Sequence, residues 1–382
     1  MKRKITQVAL LITAITSPLP AQRDRGPLAV TSGIDTSIAV VRDLVATVQG
    51  YLGSEGPGWK PTPYWSAAEQ SDAQQYDPAS AILGYQLPGT VVQISPAIPA
   101  DSVYVIKVLF ALVDSTRVRW QPLALQRFYA VRQESRWVLT SALGRHTADW
   151  KETNVGNIRY RFSPQHHFRE GRARRAADFV DSLTAALALP APDTIEYYLT
   201  PSADEMARML GFDWLKLPSG PHSGRGGWAG AGRLFSGDER RGEEYRHELA
   251  HLITGPLRSP TGRHWFIEEG FATWVGGTAG VLLSDGISPL AEFTRTHPRF
   301  AWRDLIQFST PDEIRHLSGA LLFEAVHRDV GWPGVRTLLE AGRGEDALFA
   351  ALPLAWQLTP ETFEQWWRSE IQRAASRDSS LP

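Results

Sequence analysis

The residues best suited to chemistry lie in two short strings. Tyr245-Arg246-His247-Glu248-Leu249-Ala250-His251 sets two histidines four positions apart. Trp265-Phe266-Ile267-Glu268-Glu269-Gly270-Phe271-Ala272-Thr273 then brings Glu269 after seventeen intervening residues. On a helix, residues four apart share one face, so both imidazoles can reach one metal ion. Glu248 stands beside them, poorly placed to bind the same ion and free to handle a proton. Two neutral imidazole nitrogens at about 2.0–2.1 Å and one carboxylate leave the fourth tetrahedral position to water. Zinc lowers the pKa of such a water from about 15.7 toward about 7. Glu248 can take that proton and pass it to a leaving amine, a role worth roughly 10²- to 10⁴-fold. The chemistry is hydrolysis by direct attack of water, without a covalent intermediate. Glu268, next to Glu269, is the rival carboxylate for the third ligand position.

A His-Glu-x-x-His string alone recurs by chance, and its surroundings decide its weight. Glu243, Glu244 and Leu249 suit a helix, and no Pro or Gly interrupts from there to Thr254. A second predicted helix, Trp265–Val275, carries the distal glutamate within Glu-Gly-Phe-Ala-Thr. Together these strings resemble the gluzincin zinc metallopeptidases, closest to the aminopeptidase-like branch with a thermolysin-type catalytic core. The gap here is one residue shorter than is usual in that branch. The resemblance runs from about Asn157 to Ala375, with its specific part in Tyr245–Gly276. It implies one zinc ion held by His247, His251 and Glu269, because the family pattern puts the ligand directly before Gly. It implies Glu248 as general base.

In aminopeptidase-like relatives a Tyr three residues before a Gly, on a later helix, donates to the oxyanion. Arg315-His316-Leu317-Ser318-Gly319 puts His316 in that place. A His can donate likewise, and loss of such a donor costs roughly 10²- to 10³-fold; a helical His without a role is the competing reading. Tyr245 and His264 are further candidates for that donor. Thr273, one turn after Glu269, either orients a ligand or fills its helix. Aminopeptidases of that branch also carry Gly-x-Met-Glu-Asn upstream, whose Glu binds the substrate's free amine. The comparable Gly227-Trp228-Ala229-Gly230-Ala231-Gly232 has no carboxylate, so internal cleavage is expected rather than removal of N-terminal residues.

Elements must position these groups. Ser219–Gly232 is glycine-rich, yet no Lys-Ser/Thr closes it as a phosphate-binding loop requires. It reads as a loop entering a short edge strand near Trp228–Phe235, where Trp228, Gly230 and Gly232 would let a substrate backbone add itself to the sheet. Gly255-Pro256 ends the His helix. Ser288-Pro289 and Thr310-Pro311 read as helix starts, and helices are expected at Pro289–Thr296, Pro311–Val330, Gly334–Ala341 and Pro360–Ala375. From Glu243 onward the chain is thus nearly all α, behind a mixed β/α segment, with the catalytic residues in the cleft between the halves. In that segment Arg159–Phe162 and Thr194–Leu199 read as strands, and Ala176–Leu187 as a helix whose Arg169, Arg172, Arg174 and Arg175 form a solvated face. Ser202 with Glu205 reads as a capping box.

Ahead of it, Ile34–Leu52 repeats apolar residues at helical spacing, and Gly53–Pro63 is loop. Val103–Val113, Val118–Val131 and Trp137–Leu143 suggest an antiparallel meander. This order of elements resembles the nuclear-transport-factor-like (SnoaL-like) α+β cone. No acid–base pair marks it as catalytic, so an adaptor for an unknown partner is expected.

At 382 residues, two domains are the natural division. The expected plan is α+β throughout: a signal peptide at 1–21, the cone at 22–150, and the zinc metallopeptidase domain at 151–382. Lys2, Arg3 and Lys4, the apolar Ile5–Leu19 and the small Ala21 make up the signal, whose apolar run falls short of the about 20 residues that span a membrane. An exported, periplasmic or extracellular protein without an integral membrane segment follows. With 40 Lys+Arg against 41 Asp+Glu, nothing invites nucleic acid. The absence of Cys excludes disulfides, thiolate ligands and a Cys nucleophile. The competing function is a non-catalytic secreted binding protein that keeps zinc as a structural staple. Glu248 discriminates, since a staple has no need of a base.

Overall fold

The computed structural model describes residues 28–54, 62–70, 89–97, 103–114, 119–216, 226–230, 232–238, 240–260, 262–278, 281–306, 310–356 and 358–378. The expected signal peptide and most of the Gly53–Pro63 loop lie outside these residues. Among the described residues the fold is α+β, with a six-stranded and a five-stranded sheet followed by a helical half.

Helix α1 (Ala39–Ser54) buries Leu44, Val48, Tyr51 and Leu52, one stripe at helical spacing. Strands β1 (Ala29–Val30), β2 (Gly89–Pro96), β3 (Val103–Asp114), β4 (Arg119–Gln133) and β5 (Arg136–Thr140) follow one another across the first sheet. In β3 the buried Ile106, Val108 and Phe110 alternate with less buried Lys107 and Leu109, the period of a strand with one covered face. The expected antiparallel meander is β3–β4–β5; β2 adds a further antiparallel strand and β1 a parallel one.

The second sheet runs in the order β10 (Gly227–Gly230), β11 (Arg233–Ser236), β8 (Ile195–Leu199), β7 (Ile158–Phe162), β6 (Lys151–Val155). Helix α2 (Glu170–Ala186) packs Ala173, Ala176, Val180 and Leu183 into the same core as Ile158, Tyr160 and Tyr197. Helix α3 (Ala203–Met209) is capped by Ser202, whose Oγ accepts from Glu205 N at 3.1 Å. The reciprocal half of the expected capping box is replaced: the Glu205 carboxylate turns to His146 and Arg208. Strand β9 (Phe212–Leu215), unforeseen in the sequence, crosses back to pair with β4. Tyr198, Met209, Phe212 and Phe235 accordingly join Leu44, Phe110 and Phe128 in one apolar cluster.

The helical half comprises α4 (Arg246–Thr254), α5 (Trp265–Gly276), α6 (Leu283–Thr296), α7 (Asp312–Val330), α8 (Trp332–Leu339), α9 (Glu345–Trp356) and α10 (Pro360–Asp378). Ser288-Pro289 does not start a helix. Pro289 lies inside α6, which begins at Leu283 because Leu283, Ile287 and Leu290 form a buried stripe that outweighs the missing amide donor. Helix α9 was also not anticipated. Among the described residues, no helix is long and apolar enough to cross a membrane.

Candidate metal centre

Helix α4 is placed by the segment before it. Tyr160 Oη donates to Glu243 O at 3.0 Å and Tyr197 Oη to Gly242 O at 2.5 Å, while Tyr245 N donates to Tyr197 Oη at 3.2 Å. The buried Glu243 carboxylate pairs with His166 Nε2 at 2.8 Å and accepts from Arg169 N at 2.9 Å. The arginines expected to be a solvated face divide: Arg174 stays outward on Glu170, but Arg172 donates to Arg240 O and Arg241 O, and Arg175 pairs with Glu244. The difference has a physical reason, because a helix laid beside residues 240–244 can satisfy carbonyls that precede α4. Two strands and a helix thus fix where α4 starts.

Helix α5 meets α4 and α7 through glycines. A Cβ on Gly276 would collide with the backbone of His247, and one on Gly270 would lie 2.7 Å from Gly319 Cα. The first contact brings the end of α5 onto the start of α4. The second crosses α5 and α7 backbone to backbone, directly after Glu269 and three residues after His316.

The outcome is a convergence of donors. One ligand atom each of His247, His251 and Glu269 lies within 4.8 Å of the other two. His247 Nε2 stands 3.2 Å from Glu269 Oε2, and His251 Nε2 3.7 Å from Glu269 Oε1. Ligands at about 2.0–2.1 Å from a tetrahedral ion sit roughly 3.3 Å apart, so the set fits one zinc-sized ion. His247 Nδ1 lies 2.7 Å from Gly277 O. That nitrogen must therefore carry the hydrogen, which leaves the Nε2 lone pair facing Glu269. Glu268 lies on the other side of His251, 4.0 Å from its Nδ1 and paired with Arg258.

Electrostatics suit the same use. Burial pushes His251 down to about 4, with His247, Arg258 and Arg263 adding to the effect, so it is neutral at pH 7. Burial alone would raise Glu269, yet the surrounding imidazoles hold its carboxyl well below the usual range. Burial opposes the charge on His247, but the hydrogen bond and charge of Glu269 prevail and raise it. An ionised carboxylate facing imidazoles is the donor set a divalent cation requires.

The remaining expected residues separate into two groups. His316, on α7, reaches the cluster: its Nε2 is 3.8 Å from Glu269 Oε2, and its Nδ1 is 3.1 Å from Thr278 Oγ1. Burial pushes His316 down to about 4. It lies outside the group of three whose ligand atoms converge. Glu248, on α4 between the two histidines, packs against the start of β10, where a Cβ on Gly227 would lie 2.8 Å from its Cγ. Tyr245 fills the same corner, with Arg241 over its ring at 4.4 Å.

Trp228, half-buried, packs beside Phe235 against the first sheet's core, and Gly230 and Gly232 belong to the β10–β11 hairpin and its turn. Of the described glycines in β10 and its turn, Gly227 lies against Glu248, a contact between distant elements that spacing does not disclose. Thr273 is fully buried, and its hydroxyl bonds to no described residue. Thr278 makes the contact with an imidazole instead. His264 caps α5, accepting from Phe266 N at 3.2 Å.

No family model and no curated protein matches the chain. Among solved structures, the M1 zinc metallopeptidase from Deinococcus radiodurans is similar over 78% of this chain and 65% of its own, at 16% identity and a TM-score of 0.33. A two-domain M1 zinc metallopeptidase mutant bound to L-tryptophan is similar over 75% of this chain and 63% of its own, at 16% identity and a TM-score of 0.32. The chain spans less than two thirds of the length of either structure.

Proposed function

We propose that the chain is a zinc-dependent peptidase of gluzincin type that cleaves within peptides. The observation that carries this reading is the convergence of His247, His251 and Glu269 from two helices, with a further glutamate, Glu248, between the two histidines on the first of them. Zinc held there would supply Lewis acidity and a water acidic enough to react near neutral pH. Glu248 accepts the water's proton and delivers it to the departing amine. His316, an imidazole turned toward Glu269, donates from Nε2 to the oxygen that gains charge.

The substrate backbone lies along β10, the end strand of its sheet among the described residues, where Gly227 lets the strand backbone pack against Glu248. Strand β10 offers no carboxylate to hold a free amine, which favours internal cleavage. A purely structural zinc is best served by a closed set of four ligands. Here three converge among the described residues and His316 stands apart, which favours the open, catalytic arrangement. The front unit, 22–150, is read as a non-catalytic adaptor, and the protein as exported.

The test counts zinc in the purified protein and compares wild type with Glu248→Gln on a broad peptide library. Expected are one zinc per chain in both proteins and a roughly 10²- to 10⁴-fold loss of turnover in the variant. Equal turnover, or a wild type without zinc, overturns the reading.

A further inference from the structure

The turn that follows α5 touches two imidazoles at once. Gly277, at φ 76°, ends the helix and accepts from His247 Nδ1 through its carbonyl at 2.7 Å. The next residue, Thr278, has its Oγ1 3.1 Å from His316 Nδ1. Backbone bonds brace this turn: Gly277 N donates to Thr273 O at 2.8 Å, and Thr278 N and Val281 N exchange bonds with each other's carbonyls at 2.9 and 2.7 Å.

The Thr278 hydroxyl has one O–H to donate and, among the described residues, one side-chain partner, His316 Nδ1. A hydroxyl that donates to Nδ1 requires a lone pair there, so the imidazole hydrogen resides on Nε2. On the opposite side of the ring, His316 Nε2 faces a Glu269 oxygen at 3.8 Å. At 3.8 Å this is too long to be a hydrogen bond, so the N–H remains available to a substrate oxygen. The two contacts of the turn act in opposite senses. Gly277 O accepts, which exposes the Nε2 lone pair of His247 to a metal. A Thr278 Oγ1 that donates exposes the Nε2 hydrogen of His316 to a reacting oxygen.

We propose that Thr278 is a positioning residue that fixes His316 as its Nε2–H tautomer, making it a hydrogen-bond donor rather than a base or a fourth metal ligand. The inference rests on the peptidase reading for its catalytic consequence, but the tautomer itself is measurable without turnover. Zinc-loaded protein labelled with ¹⁵N-histidine is studied by long-range ¹H–¹⁵N correlation, with the His316 signals identified by their loss in His316→Gln. Wild type and Thr278→Ser are expected to show Nε2 protonated and Nδ1 bare. Thr278→Val is expected to shift both nitrogens toward a mixture of tautomers.

In parallel, Thr278→Val should lower kcat about 10- to 100-fold with KM and zinc content unchanged, and Thr278→Ser should restore it. A wild-type His316 that is bare at Nε2 overturns the proposal, as does a Thr278→Val protein with wild-type nitrogen shifts. Shifted nitrogens with an unchanged kcat overturn the role assigned to the tautomer. If Thr278→Val fails to fold, the wild-type and Thr278→Ser spectra still decide the tautomer. If no peptide is hydrolysed, the peptidase reading fails while the spectra still decide what Thr278 does.

Discussion

Gly227 is the tightest point between the end strand and the residue proposed to carry the proton. Any side chain there runs into the Tyr245 ring and comes within 2.8 Å of Glu248 Cγ. Relief requires Glu248 to swing away or β10 to lift, and misplacement of a catalytic group by about 1 Å can cost around 10²-fold. Gly227→Ala is therefore expected to retain zinc and lose kcat on that scale, measured by metal analysis beside steady-state kinetics. An alanine variant as fast as wild type would show that Glu248 does not act from this position. The His pair was legible in the sequence because helical periodicity alone puts His247 and His251 on one face. Gly227 was not singled out among its neighbouring glycines, because its contact joins residues about twenty positions apart across a strand and a helix. Thr278 was missed for the same reason: its partner, His316, is 38 residues away.

At the level of elements, the α5–α7 crossing holds Glu269 and His316 together. Gly270 and Gly319 meet backbone to backbone, so a methyl on either must push the helices apart. Overpacking of this kind typically costs about 1–3 kcal/mol. Gly319→Ala is expected to unfold at lower temperature and to bind zinc more weakly, since the displaced helix carries Glu269 away from the α4 histidines. Calorimetric unfolding with a zinc titration checks both, and unchanged affinity would show that the crossing does not set the site. Elements with a clean period were readable beforehand, including β3, β4, α2 and α5. Those missed lack a local signature. Strand β9 has four residues and exists through pairing with β4, some ninety positions earlier. Helix α9 is apolar around much of its surface and contains Pro353, and α6 contains Pro289; in both, burial outweighs a breaker that a local reading takes as a boundary.

For the whole molecule, the absence of Cys leaves apolar cores and the proposed metal to hold the fold. Zinc that binds only the folded state stabilises it by about 2.7 kcal/mol at 100 times its Kd. Unfolding temperature should accordingly rise with free zinc and fall with a chelator; insensitivity to both would speak against a bound metal. A second dependence involves the joint between the sheet and the metal helix. Glu243 is buried, which by itself raises its carboxyl, but the bonds with His166 and Arg169 N prevail and hold it below its ordinary value of 4.5. A carboxyl depressed on folding stabilises fully above the unfolded-state value, and that contribution disappears as pH falls through the folded-state value. The unfolded chain takes up the proton first, so the loss begins near pH 4.5 and grows below it. Glu243→Gln keeps an acceptor for Arg169 N but cannot titrate. Zinc release in acid is common to both proteins and cancels in their difference. Urea unfolding from pH 7 down to pH 3 should therefore show wild type more stable at neutral pH, with its advantage over Glu243→Gln shrinking only below about pH 4.5. A difference that stays constant across that range would mean that Glu243 holds α4 in place without its charge.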